Sequence, residues 1–174
     1  MQAALSPVIA ATAQWLTCAF PASGGALASA LCEVQARQAV TVAAWLRHPT
    51  SMDAALVEMA GPGGAARLDW ITGADRHDSA DGEAWRTWVD EVVASWAACL
   101  LTDPELARLA VAAVGEGDHT AGTPFEFRRL LAPDEHDRRA AALLRHPDLV
   151  APVAELHHAR LLERLGSPDQ ALIA

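Results

Sequence analysis

Any chemistry in this chain has to come from a few spacings. Glu155 and His158 form an E-x-x-H step, which on a helix sets a carboxylate and an imidazole one turn apart on the same face. Dimetal helical bundles use that spacing, but they need a second E-x-x-H and two further carboxylates aimed into the same cavity. The other match, Glu116 to His119, lies between glycines, and the early helices contribute only Glu33. A small metal protein or enzyme using Glu155 and His158 is therefore the last of three readings, and no metal or other cofactor is expected.

A second cluster, Asp75, Asp78, Asp81 and Glu83 around Gly82, invites a calcium loop. With Gly82 at the turn position, the first ligand would be His77 and the bidentate twelfth would be Trp88, and neither can serve. A solvated acidic loop is the better reading. The residues chosen from it for contact with a partner are Trp70, Asp75, His77 and Asp78. Gly61, Gly63 and Ala66 match a loose G-x-G-x-x-A, but no buried strand precedes them. A Walker-type loop is excluded because the chain has no lysine. Ser23 before Gly24-Gly25 lacks the strand-turn-helix setting of a hydrolase elbow. Nothing unites a nucleophile, a base and an orienting acid, so the chain is read as non-enzymatic.

The elements that must carry these residues read as helices throughout. The clearest runs from Asp81 to Leu101, with Trp85, Trp88, Val89, Val92, Trp96 and Leu100 on one stripe and Arg86, Asp90, Glu91 and Ser95 outside it. We take this helix as the one the others pack around. Ser6-Pro7 opens a first helix to Phe20, and a second spans Ala26 to Arg47, stopped by His48-Pro49. These two form a hairpin over residues 1–48 with only three charges, either central in the bundle or half of an oligomer interface. Thr50 or Ser51 starts a short helix to Ala60. Residues 61–81 then read as one long irregular, acidic loop, with a short extended piece over Leu68, Trp70 and Ile71. Within the helical body of residues 82–165, Asp103-Pro104 starts a helix to Val114, Thr123-Pro124 one to Leu131, Pro133 one to Arg145, and Asp148 the last, to Leu165. The expected fold is all-α: one bundle of six to eight helices, one domain over residues 1–174, and no sheet.

Composition narrows function further. The 174 residues are 52% apolar, enough for one substantial core. The net charge of -9 is concentrated between Asp53 and Asp118, where 13 acids face four arginines. That repels duplex nucleic acid, so no nucleic-acid partner is expected. Cys18, Cys32 and Cys99 are odd in number, form no C-x-x-C and suit a reducing compartment. No basic region precedes Arg37, and no apolar run is long enough to span a membrane, so a cytoplasmic location is expected. The repeated A-W-L-R-H-P (44–49) and A-L-L-R-H-P (142–147) are taken as helix punctuation, a terminal cation before a proline.

Two local likenesses remain. Leu100 to Ala107, L-L-T-D-P-E-L-A, resembles helix starts in replicative helicase and primase interaction domains, over under a tenth of the chain. The alanine-rich, low-charge stretch from Glu33 to Arg47 resembles phasins, the proteins that coat polyester granules, which implies a granule- or membrane-surface coat. The leading expectation is a protein-protein interaction or regulatory protein, self-associating through its N-terminal hairpin and meeting a partner with the 61–81 loop.

Overall fold

Helix α2 (Gly25–Arg47) shows how the core is assembled. Its 23 residues hold only Glu33, Arg37 and Arg47 as charges, so little opposes burying it on several sides. From Ala39 to Leu46 only Thr41 keeps partial exposure, the pattern of a helix in the interior. It packs against α1 (Ser6–Ala19) and α5 (Glu91–Thr102), and also against α6 (Pro104–Gly115), α7 (Arg128–Leu131) and α8 (Glu135–Ala140). α5 is its main neighbour and is buried at every residue from Val92 to Leu101. Fully buried alanines in both helices (Ala36, Ala39, Ala43, Ala94, Ala97, Ala98) keep their surfaces low, which favours a close approach of the two axes.

The computed structural model describes residues 5–74, 83–120 and 126–166. Among them are ten α-helices and no strand, the all-α architecture read from the sequence. The remaining helices are α3 (Ser51–Ala60), α4 (Ala66–Thr72), α9 (Pro147–Ala154) and α10 (His158–Leu165), with 3-10 turns at Ala84–Trp88 and Asp118–Thr120. No described helix is long and apolar enough to cross a membrane.

Several elements differ from expectation. The tryptophan-bearing helix is two elements, a 3-10 turn and then α5, separated by extended backbone at Val89 and Asp90. Asp90 starts the second: its Oδ1 accepts the Val92 and Val93 N–H groups at 2.8 and 3.0 Å. Asp90 and Ser95, assigned to the solvent side, are both buried, while Trp85 and Trp88 are only half-buried. The central role therefore belongs to the α2–α5 pair.

The irregular loop is shorter than expected, because Ala66–Thr72 is α4 rather than coil with an extended piece. Buried Leu68 and partly buried Asp69 hold it. Asp69 Oδ1 accepts the Trp15 indole N–H at 2.8 Å and pairs with Arg86, tying α4 to α1 and to the 3-10 turn.

The last helix is broken at residues 155–157, one turn beyond Pro152. α5 collects the backbone groups freed by the break. Ser95 Oγ donates to the Ala154 carbonyl at 2.9 Å and accepts the His157 N–H at 3.0 Å. The Trp96 indole donates to the His157 carbonyl at 3.1 Å. Unpaired buried backbone groups are costly, so these three bonds let the chain break and turn there. The helix expected from Pro133 to Arg145 also ends early, at Ala140, and continues as looser turns.

Candidate functional site

The metal-type residues come together only in part. Glu155 lies in the break and His158 opens α10, so the E-x-x-H step does not lie on one continuous helix. Both line a hollow of about 280 Å3 with Cys99 and Asp103. Asp103 Oδ1 is committed to capping α6, accepting the Glu105 and Leu106 N–H groups at 3.0 and 3.1 Å. Burial pushes the Cys99 thiol up to about 12, with the Asp103 charge adding to the shift, and the thiol donates to the Ala154 carbonyl. A thiol held neutral is a poor nucleophile. Burial raises Cys18 and Cys32 as well, against opposing charge from Arg86 and Arg145. Among the described residues no three His, Cys, Asp or Glu side chains are grouped to hold a metal ion.

Of the residues chosen for partner contact, Trp70 is described and is 74% exposed on α4. Asp75, His77 and Asp78 lie outside the described residues. The Gly61-Gly63-Ala66 pattern joins α3 to α4, with no strand before it. Its glycines answer to backbone geometry: Gly61, Gly63 and Gly64 have φ of +70°, +101° and +82°, which side chains with a Cβ rarely adopt.

The site that stands out is one that sequence reasoning missed, the outer face of α3. A capping box starts this helix: Thr50 Oγ1 accepts the Asp53 N–H at 3.1 Å, and Asp53 Oδ2 accepts the Thr50 N–H at 3.0 Å. The Thr50 hydroxyl, which donates to Asp53 Oδ2 at 2.7 Å, and the Thr50 N–H together hold the Asp53 carboxyl below its ordinary range. α3 turns Ala54 inward and Val57 partly so, whereas Met52, Leu56 and Met59, at steps of four and three, are 69%, 51% and 79% exposed. They form one apolar stripe facing solvent. Ala60, at the end of the helix, opens a hollow of about 400 Å3 lined by Gly61, Gly63, Gly64, Thr87 and Trp88. The charges on α3 are Asp53 and Glu58, and no base accompanies them. The sequence signal was present in the four-three spacing, but sequence logic assigns such a stripe to the core.

No family model, curated protein or solved structure matches the chain.

Proposed function

We propose that this is a non-enzymatic interaction protein that docks a basic amphipathic helix of a protein partner on α3. The observation that carries the reading is the solvent-facing stripe Met52, Leu56 and Met59 on a helix whose charges are both acidic. Large apolar side chains aligned in water mark interaction surfaces, and methionine adapts its shape to varied partners. The negative charge that Asp53 and Glu58 give α3 selects a helix with cationic flanks. It also opposes an isologous contact with a second copy, which would bring the same acids together.

The test uses the intact protein and a synthetic amphipathic helix of leucine and tryptophan on one face and lysine and arginine on the other, titrated by fluorescence. Binding is expected with a dissociation constant of about 10 μM or tighter. The double variant Leu56→Asp, Met59→Asp should weaken it about tenfold or more, and so should exchanging the peptide's bases for glutamates. Equal affinity for the two proteins, or no binding by either, would overturn the reading.

Self-association through the N-terminal hairpin is a second reading, favoured by Leu27 and Val34, both exposed and two turns apart on α2. It predicts dimer in sedimentation at about 50 μM and monomer for Leu27→Glu at the same concentration. A wild-type protein that stays monomeric throughout the micromolar range refutes it.

A further inference from the structure

The densest run of bases in the chain falls between Arg128 and Arg145, with five arginines against Asp134, Glu135 and Asp137. Folding sorts these charges unequally. Asp137 is fully buried and paired with Arg129, and Glu135 is paired with Arg139. Asp134 is spent on the α8 capping box. Arg138 has no hydrogen-bonding or ion-pair partner for its guanidinium among the described residues. It lines a cleft of about 420 Å3 together with Arg108 of α6 and Arg145, between walls that include Pro104, Leu130 and Pro133.

We propose that this cleft binds a small organic oxyanion, a carboxylate or phosphate ester carried on an apolar body. Arg145 is the fixed element of the site. Its Nε donates to Gln35 Oε1 at 2.6 Å, its Nη1 to the Leu101 carbonyl at 3.2 Å and its Nη2 to the Arg129 carbonyl at 2.7 Å. A guanidinium has five N–H groups, so two are left for a ligand on a side chain that is already ordered. Ordering that precedes binding lowers its entropic cost. Burial lowers the Arg145 pKa, against the opposing charge of Asp137, and the neighbouring Arg138 lowers it further. Arg108 pairs with Glu105 on the same helix, but Glu105 is 82% exposed and can swing into water when a ligand arrives. Planar guanidinium groups match carboxylate and phosphate oxygens with paired hydrogen bonds. The apolar walls and the volume fit a body larger than the oxyanion alone. This inference does not depend on the α3 docking reading, and the two are tested on different surfaces.

Calorimetric titration of the full chain at low ionic strength tests it with three probes: phenyl phosphate, 3-phenylpropionate and inorganic phosphate. At least one organic probe is expected to bind at one site with a dissociation constant below about 1 mM. Which organic probe binds identifies the oxyanion, and binding of both assigns recognition to their shared chemistry. Arg138→Gln, alone and with Arg108→Gln, should weaken binding about fivefold to tenfold, whereas Arg139→Gln, on the same helix but outside the cleft, should leave it unchanged. Inorganic phosphate should bind about fivefold more weakly than the better organic probe. The proposal is overturned if neither organic probe binds below about 10 mM, if Arg139→Gln costs as much as Arg138→Gln, or if inorganic phosphate binds as tightly as the organic probes.

Discussion

Replacing Arg145 with alanine is expected to destabilise the protein by about 3–5 kcal/mol, enough to unfold many domains of this size. The side chain is the donor for three acceptors on three segments: Gln35 in α2, the Leu101 carbonyl near the end of α5, and the Arg129 carbonyl in α7. Gln35 is fully buried and its amide nitrogen donates to the Asp137 carbonyl at 2.8 Å, so the network continues into α8. Removing the guanidinium leaves these partly buried acceptors without their donor, and much of the penalty is theirs rather than the lost bonds'. Lysine is not a substitute, because one ammonium cannot span the three directions of the fork. Urea unfolding followed by tryptophan fluorescence should therefore give midpoints well below wild type for both Arg145→Ala and Arg145→Lys. A lysine variant as stable as wild type would show that charge alone, without the fork, holds the three segments.

Arg145 also shows what the sequence could and could not display. Beside His146-Pro147 it reads as a cation at a helix end, in parallel with Arg47 beside His48-Pro49. The parallel is only punctuation. Arg145 reaches Gln35 across 110 positions, and His48 is buried opposite Asp90 while His146 is exposed. Signals contained within a few residues were legible: the helix start at Thr50 or Ser51, the Asp103-Pro104 start, the end of the last helix at Leu165 and the all-helical class. Local pattern misled where a polar side chain is committed to partners inside the fold. Ser95 and Asp90 look like solvent-side residues because serine and aspartate are polar, yet each serves backbone groups inside the core. Leu68, Trp70 and Ile71 suggest an extended piece until Trp15 and Arg86 are seen to hold Asp69 in a helix. The α3 stripe was visible as spacing, but which side of a helix faces water is decided by the neighbours it packs on.

Asp90→Ala should be the second most damaging substitution, at about 2–3 kcal/mol, and the part of its effect that comes from the carboxylate charge should be lost in acid. The Asp90 carboxylate caps α5 through two backbone N–H groups, a role worth about 1 kcal/mol or more by itself. Its other oxygen lies 3.5 Å from Nε2 of His48, a buried nitrogen with no hydrogen-bond partner. Alanine would also remove the carboxylate that faces this imidazole, an electrostatic loss added to that of the cap. Burial by itself raises the Asp90 pKa, but the His48 ring, the Val93 N–H and the charges of His48 and Arg47 outweigh it and hold the carboxyl below its ordinary value. A carboxyl with a lowered folded pKa contributes its full stability above the unfolded value of about 3.9 and loses it as pH falls through the folded value. The gap in urea midpoint between wild type and Asp90→Asn, which keeps an oxygen for the cap but removes the charge, should therefore be widest near neutral pH and close below about pH 4. A gap of constant size from neutral to acid would mean that Asp90 works through hydrogen-bond geometry alone and that its charge contributes nothing.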